Sequence, residues 1–163
     1  MSRDEGGAMQ TTRADIDAFL QLRRIAVIGV SRDPKKLSHA LWQEFRQRRV
    51  EAIAVNPNVP EIDGQRCFAH VGDIQPPVVG ALIITPPEST PEVIEECVAA
   101  GVRRVWLHKG LGRSTWTPEA EDLARTRGFE VVAAVCPYMF LAGTPAVHQL
   151  HAVGKKLTGS YPR

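Results

Sequence analysis

Apolar residues fall along this chain in five short runs, at residues 25–28, 51–55, 79–84, 102–107 and 130–135. Between most of these runs they recur at helical spacing instead. A short, nearly continuous apolar run bounded by Gly, Pro or polar residues predicts a strand buried on both faces. The helical pattern predicts a helix from Thr12 and Asp15 carrying Ile16, Phe19 and Leu20, and another over about 38–48. Ser89 or Thr90 followed by Pro91 opens a third helix, closed at Gly101, and Thr117-Pro118-Glu119 opens a fourth, closed at Gly128. Pro just inside a helix start and Gly just past its end are the expected asymmetry. Residues 57–77 predict mostly loop, with an Asp63-Gly64 turn and one helical turn near 70–74. A last helix is expected from Thr144-Pro145 to Gly154, then a basic tail.

Strands alternating with helices of about ten residues predict a parallel five-stranded sheet covered on both faces, a doubly wound α/β fold. Such folds bind ligands at the carboxyl ends of the strands. The segments beyond those ends are 29–38, 56–57, 85–87, 108–112 and 136–140, each carrying polar, Gly or Pro residues. The 163 residues are expected to form one domain with a core at about 20–140, a polar terminus at 1–11 and a helix and tail at 144–163.

A net charge of +2 gives no global field for nucleic acid or a membrane surface. No apolar run approaches the roughly 20 residues of a membrane span. The start, Met1 to Gly7, lacks the apolar core of a secretory signal. Cys67, Cys97 and Cys136 have no metal-type spacing and suit reduced thiols in a cytoplasm.

The chemistry concentrates after the first strand. Gly29-Val30-Ser31 breaks the strand, and Arg32-Asp33-Pro34-Lys35-Lys36-Leu37-Ser38 leads into the helix. Glycine allows close backbone approach, and a helix start offers unpaired N–H groups and a positive dipole end. With an arginine and two lysines beside it, this loop predicts a phosphate-bearing ligand. Ser38 stands where a helix N-cap would. A nicotinamide dinucleotide would require a second and third glycine and an acidic residue after strand two. Val30 to Pro34 holds no second glycine, and Asn56 replaces the acid. NAD(P) is therefore an alternative rather than the main reading.

These residues resemble a family. Ala26 to Ser31, Asp33-Pro34, Lys35 to Ser38 and Val55-Asn56-Pro57 carry the likeness, continued by Asp63-Gly64, Thr85-Pro86, Glu92-Val93, Val105-Trp106-Leu107 and Cys136-Pro137. Over about residues 20–140 the chain resembles stand-alone CoA-binding proteins related to the CoA-binding domain of succinyl-CoA synthetase alpha subunits. The resemblance implies CoA or an acyl-CoA as ligand. It implies close approach at Gly29, phosphate contacts from Val30, Ser31 and Ser38, and charge from Arg32, Lys35 and Lys36. Asn56 and Pro57 would border the adenosine, and Thr85 and Pro86 would form the opposite wall. Trp106, Trp42 and Phe45 read as core. The Arg48-Arg49-Val50 turn departs from the family in lacking the glycine common after the first helix.

No catalytic set is assigned. Cys136 with His108, His148 or His151 could in principle run acyl transfer through a thioester, which keeps an acyl-CoA enzyme as a second alternative. His148 and His151 share a helix face at i, i+3, but without a third ligand no metal site is assigned. The related ligases carry further domains for their chemistry, so the resemblance implies binding without independent catalysis. No protein partner is indicated.

Overall fold

The computed structural model describes residues 10–110 and 114–143. The expected helix from Thr144, with His148 and His151, and the basic tail lie outside the described residues. So do residues 1–9 of the polar terminus.

Helix α1 (Arg13–Leu20) opens with the expected cap: the Thr12 hydroxyl accepts from Asp15 N–H, while the Asp15 carboxylate accepts from Thr12 N–H. Strand β1 (Arg24–Ile28) leads through the polar loop into α2 (Leu37–Gln47) and then β2 (Glu51–Val55). The Asp63-Gly64 turn joins two minimal antiparallel strands, β3 (Glu61–Ile62) and β4 (Gln65–Arg66), with φ of 50° and 72° at its two residues. Positive φ at both central residues is the turn geometry that suits strand twist. A single 3-10 turn at Val71–Asp73 precedes β5 (Gly80–Ile83). Then come α3 (Thr90–Ala99), β6 (Arg104–His108), α4 (Pro118–Thr126), β7 (Glu130–Val135) and a 3-10 turn at Pro137–Met139.

The five long strands pair in parallel in the order β2-β1-β5-β6-β7. This is the expected doubly wound fold. Successive residues of a strand point to opposite faces, and both faces are apolar. Ile25, Val27, Leu82, Trp106 and Val132 meet Ile16, Phe19, Trp42 and Phe45 of α1 and α2. Ala26, Ile83, Val105, Leu107 and Val131 meet Ile94, Cys97, Ala120 and Ala124 of α3 and α4. Trp42 and Trp106 are core, as expected, and each indole N–H still finds a carbonyl, Ala52 O at 2.8 Å and Val135 O at 3.0 Å. Each edge of the sheet receives a contact from outside it. Beyond β2, Phe68 N–H donates to Ala54 O, and beyond β7 the Thr11 hydroxyl bonds both Ala133 N–H and Ala133 O.

Two irregularities sit at ends of elements. After α2, Arg49 adopts φ of 61°, and Val50 N–H reaches back to Phe45 O to close the helix. Near the end of β7 the register slips, so that Leu107 faces Ala133 but His108 faces Val135, with Ala134 at φ of 62° between them. This bulge brings Val135 onto the face already used by Val132.

Burial pushes the Cys97 thiol up to about 12, with the neighbouring Glu96 carboxylate adding to the effect. A folded-state value raised above the unfolded one contributes stability present at low pH and lost as pH climbs toward the folded value. The melting temperature should therefore drop as pH rises from about 9 toward 12, and drop less steeply in Cys97→Ala. Parallel slopes for the two proteins in thermal melts would remove Cys97 as the cause.

Candidate functional site at the carboxyl edge of the sheet

The strand order reverses between β1 and β5, since β1 runs on to an outer strand on one side and β5 to β6 on the other. Chains leaving adjacent strands toward opposite faces open a crevice at that point. Its two walls are the loop from Gly29 to Lys36 and the segment from Ile84 to Ser89. They touch at Gly29. Its φ is 96°, and a Cβ placed there would lie 2.5 Å from Ile84 O and 3.3 Å from the Thr85 methyl. The glycine is thus required by the neighbouring strand end before any ligand is considered.

The loop beyond is a set of local turns. Ser31 Oγ accepts from Asp33 N–H, the Asp33 carboxylate accepts from Lys35 N–H, and Asp33 O accepts from Lys36 N–H. Asp33 and Pro34 therefore shape the loop, leaving Arg32, Lys35 and Lys36 exposed and without an ion-pair partner among the described residues.

Ser38 differs from its expected role. The N-cap of α2 is Lys36, whose side chain makes no capping bond, and Ser38 is the second helical residue. Only 8 % exposed, its hydroxyl accepts from Ser31 N–H at 3.1 Å. The cap lies two residues earlier than the polar pattern suggests, at Lys36 instead of Ser38, because Asp33 turns the loop directly into the helix. Two consequences follow. The Ser31 N–H is engaged within the protein, and the first turn of α2 keeps an amino end that no side chain caps. Val30 is fully buried and its carbonyl accepts from Asn56 Nδ2 at 2.9 Å. Asn56 also accepts from Asn58 N–H, so it braces the end of β2 against the loop, while Pro57 beside it is exposed.

The opposite wall rests on hydroxyl groups. Thr85 Oγ1 lies 3.1 Å from Thr90 Oγ1, Thr90 donates to Pro86 O, and Thr115 Oγ1 donates to Thr85 O at 2.8 Å. Pro86 itself is exposed. Thr90 and Thr115 are buried and carry no sequence signal for this role, because Thr115 lies 30 residues from Thr85. His39 was equally silent in sequence. It is 4 % exposed, with Nδ1 at 2.9 Å from Ser31 O and Nε2 at 2.9 Å from Asp63 Oδ2.

Other candidates separate from this crevice or lose their chemical setting. Trp106 packs edge-on against Phe19 with ring centroids 5.4 Å apart. Cys136 is buried in an apolar cluster with Leu41, Tyr138 and Met139. No group of three or more His, Cys, Asp or Glu suited to a metal occurs among the described residues. Two hollows, of about 380 Å³ against β2 and about 560 Å³ between His70 and α3, are not lined by residues of either crevice wall. They mark surface concavity, whereas the crevice is distinguished by its charge and by its position at the strand ends.

Fold, reversal point and cationic loop together define a doubly wound α/β protein with a positively charged crevice at its strand ends. A family model described as a CoA binding domain matches residues 23–142, and the chain belongs to that family. The chain is 28% identical over 126 residues to the uncharacterized protein YneT of Bacillus subtilis, covering 77% of this chain and 90% of that one. It is 32% identical over 128 residues to the ADP-forming acetate–CoA ligase II subunit alpha of Pyrococcus furiosus, spanning 74% of this chain but only 28% of that subunit. A solved structure described as a hypothetical protein from Pyrococcus horikoshii superimposes with a TM-score of 0.71 at 25% identity, covering 84% of this chain and 92% of that one. No helix among the described residues is long and apolar enough to cross a membrane.

Proposed function

We propose that this protein binds coenzyme A or an acyl-CoA across the crevice between β1 and β5 and does so without catalysis of its own. The observation that carries this reading is the amino end of α2, uncapped by any side chain and flanked by three exposed cations without partners among the described residues. Such an end favours an anion through its N–H groups and dipole. Membership of the CoA-binding family supports CoA as the source of that anion.

In this reading Lys35, Lys36 and Arg32 pair with the diphosphate or the ribose 3′-phosphate. Gly29 and Val30 bring the backbone close, and the Ser31 hydroxyl retains a proton to donate. Ser38 acts by holding Ser31. Asn56 and Pro57 border the adenosine, and Thr85 and Pro86 form the other wall. Cys136, buried among apolar side chains, is given no part in the chemistry. The buried cysteines Cys67, Cys97 and Cys136 fit a reducing cytoplasm. The reading treats the chain as a single domain that holds CoA for another protein or responds to its level.

Calorimetric titration tests this directly. CoA should bind, and dephospho-CoA should bind roughly 10- to 100-fold more weakly, the scale of one lost charge-assisted contact. NADH should bind weakly or not at all. Tight NADH binding with no response to CoA would refute the proposal.

A further inference from the structure

His39 makes two contacts that its neutral ring cannot satisfy together. Nδ1 lies 2.9 Å from the Ser31 carbonyl oxygen, and Nε2 lies 2.9 Å from Asp63 Oδ2. A neutral imidazole has one N–H and one lone pair, whereas a carbonyl and an ionised carboxylate only accept. Gln43 Nε2 donates to the same Asp63 oxygen, which suits the carboxylate form of Asp63. Both contacts are then hydrogen bonds only if the ring carries two protons.

The surroundings leave few sources of compensation. The groups facing the ring are Ser31 from the loop, Asp63 from the β3–β4 turn and Trp42 from α2, edge-on at 5.6 Å between centroids. Of these only Asp63 is charged. Arg32, Asp33, Lys35 and Lys36 of the adjoining loop are exposed and form no ion pair with the ring. The amino end of α2 opposes a positive ring, so the Asp63 carboxylate is the partner that the cation requires.

Through these contacts His39 ties the loop to a turn 24 residues further along. The Ser31 backbone is held at both of its polar groups, the N–H by Ser38 Oγ and the carbonyl by His39. We propose that His39, as an imidazolium, is a positioning residue for the phosphate loop, so that affinity for the ligand depends on the proton carried by this ring. The proposal rests on the CoA reading of the crevice for its ligand. When the ring loses a proton it keeps only one of its two arms. Either Ser31 is released or the β3–β4 turn is, and the loop must then be ordered at the expense of binding.

The experiment has two arms. Ring nitrogen resonances of His39 and the amide resonance of Ser31 are followed in the free protein across the histidine titration range, about pH 5.5 to 8.5. Over the same range calorimetry measures dephospho-CoA binding to the parent chain, His39→Gln and Asp63→Asn. Dephospho-CoA is the probe because a phosphate monoester itself titrates near pH ~6. Asn tolerates positive φ, so Asp63→Asn removes the charge while keeping the turn.

Both ring nitrogens should be protonated at the acidic end, with the Ser31 amide shifting as the ring titrates. Affinity should fall about three- to tenfold through that transition, the scale of one hydrogen bond. Asp63→Asn, whose amide can donate to Nε2 of a neutral ring, should make affinity independent of pH, and His39→Gln should bind weakly at every pH. A ring with a single N–H throughout, or full affinity in a folded His39→Gln, would overturn the proposal. If no CoA form binds at any pH while Ser31 still follows the doubly protonated ring, the CoA reading fails and the clamp stands.

Discussion

Gly29→Ala should melt about 5–20 °C below the parent chain and lose the crevice with it. Two costs combine at this position. A non-glycine residue in the left-handed region costs roughly 1–2 kcal/mol, and here φ is 96°. The added Cβ would also sit 2.5 Å from Ile84 O, a backbone atom fixed by the ladder, since Ile84 N–H itself donates to Ile28 O. Overpacking against such a neighbour costs about 1–3 kcal/mol. The sum, roughly 2–5 kcal/mol, converts to the stated shift for a chain of this size. Gly80 provides the contrast. A Cβ there meets the end of the Leu22 side chain, which can rotate away, so Gly80→Ala should cost less. Equal melting temperatures for Gly29→Ala and the parent chain in calorimetry would mean that β1 and β5 are not in the close approach described.

Replacing Lys35 and Lys36 together by Ala should weaken CoA binding roughly 10- to 100-fold and flatten its salt dependence. Charge-assisted contacts contribute about 1.5–3 kcal/mol each, discounted here because both lysines are solvent-exposed. Folding should be nearly untouched, within about 0.5 kcal/mol, because neither side chain has an ion-pair partner to lose among the described residues. That separation makes the variant informative, since reduced affinity cannot then be blamed on a damaged fold. Unchanged affinity at low salt would show that these cations serve solubility and that the phosphates bind elsewhere.

The architecture was legible because parallel strands buried on both faces are written as apolar runs. Strands 51–55 and 130–135 match the observed bounds, and the β1 run extends by only one residue, Arg24. Helix capping at Thr12 and Thr117 was equally readable, because the cap lies within three residues of what it caps. The two-residue strands β3 and β4 were not, since two residues cannot display a period; only their Asp63-Gly64 turn announced them. Nor was the bulge at Ala134, because alanine carries no preference for positive φ.

Within the site, sequence located the loop but not its wiring. The start of α2 falls at Leu37 instead of Ser38 or His39, a small difference with a large effect. It converts Ser38 from a cap into a brace for Ser31 and turns His39 inward toward Asp63. Asn56, assigned from sequence to the border of the adenosine, also holds Val30 from 26 residues away. The Thr85, Thr90 and Thr115 hydroxyls likewise meet only through tertiary packing. Contacts between distant polar groups leave no periodic trace, so the supports of a site are harder to read than the loop they support.

The guarded margins of the sheet bear on how copies of this protein can meet. An exposed strand margin is a template onto which another chain can add by main-chain pairing. At β2 the Trp42 indole and Phe68 have already taken the carbonyls of Ala52 and Ala54, and at β7 Thr11 occupies both polar groups of Ala133. A newcomer approaching either side finds acceptors already spoken for. Growth into fibres by strand addition is therefore disfavoured at these positions of the two edge strands.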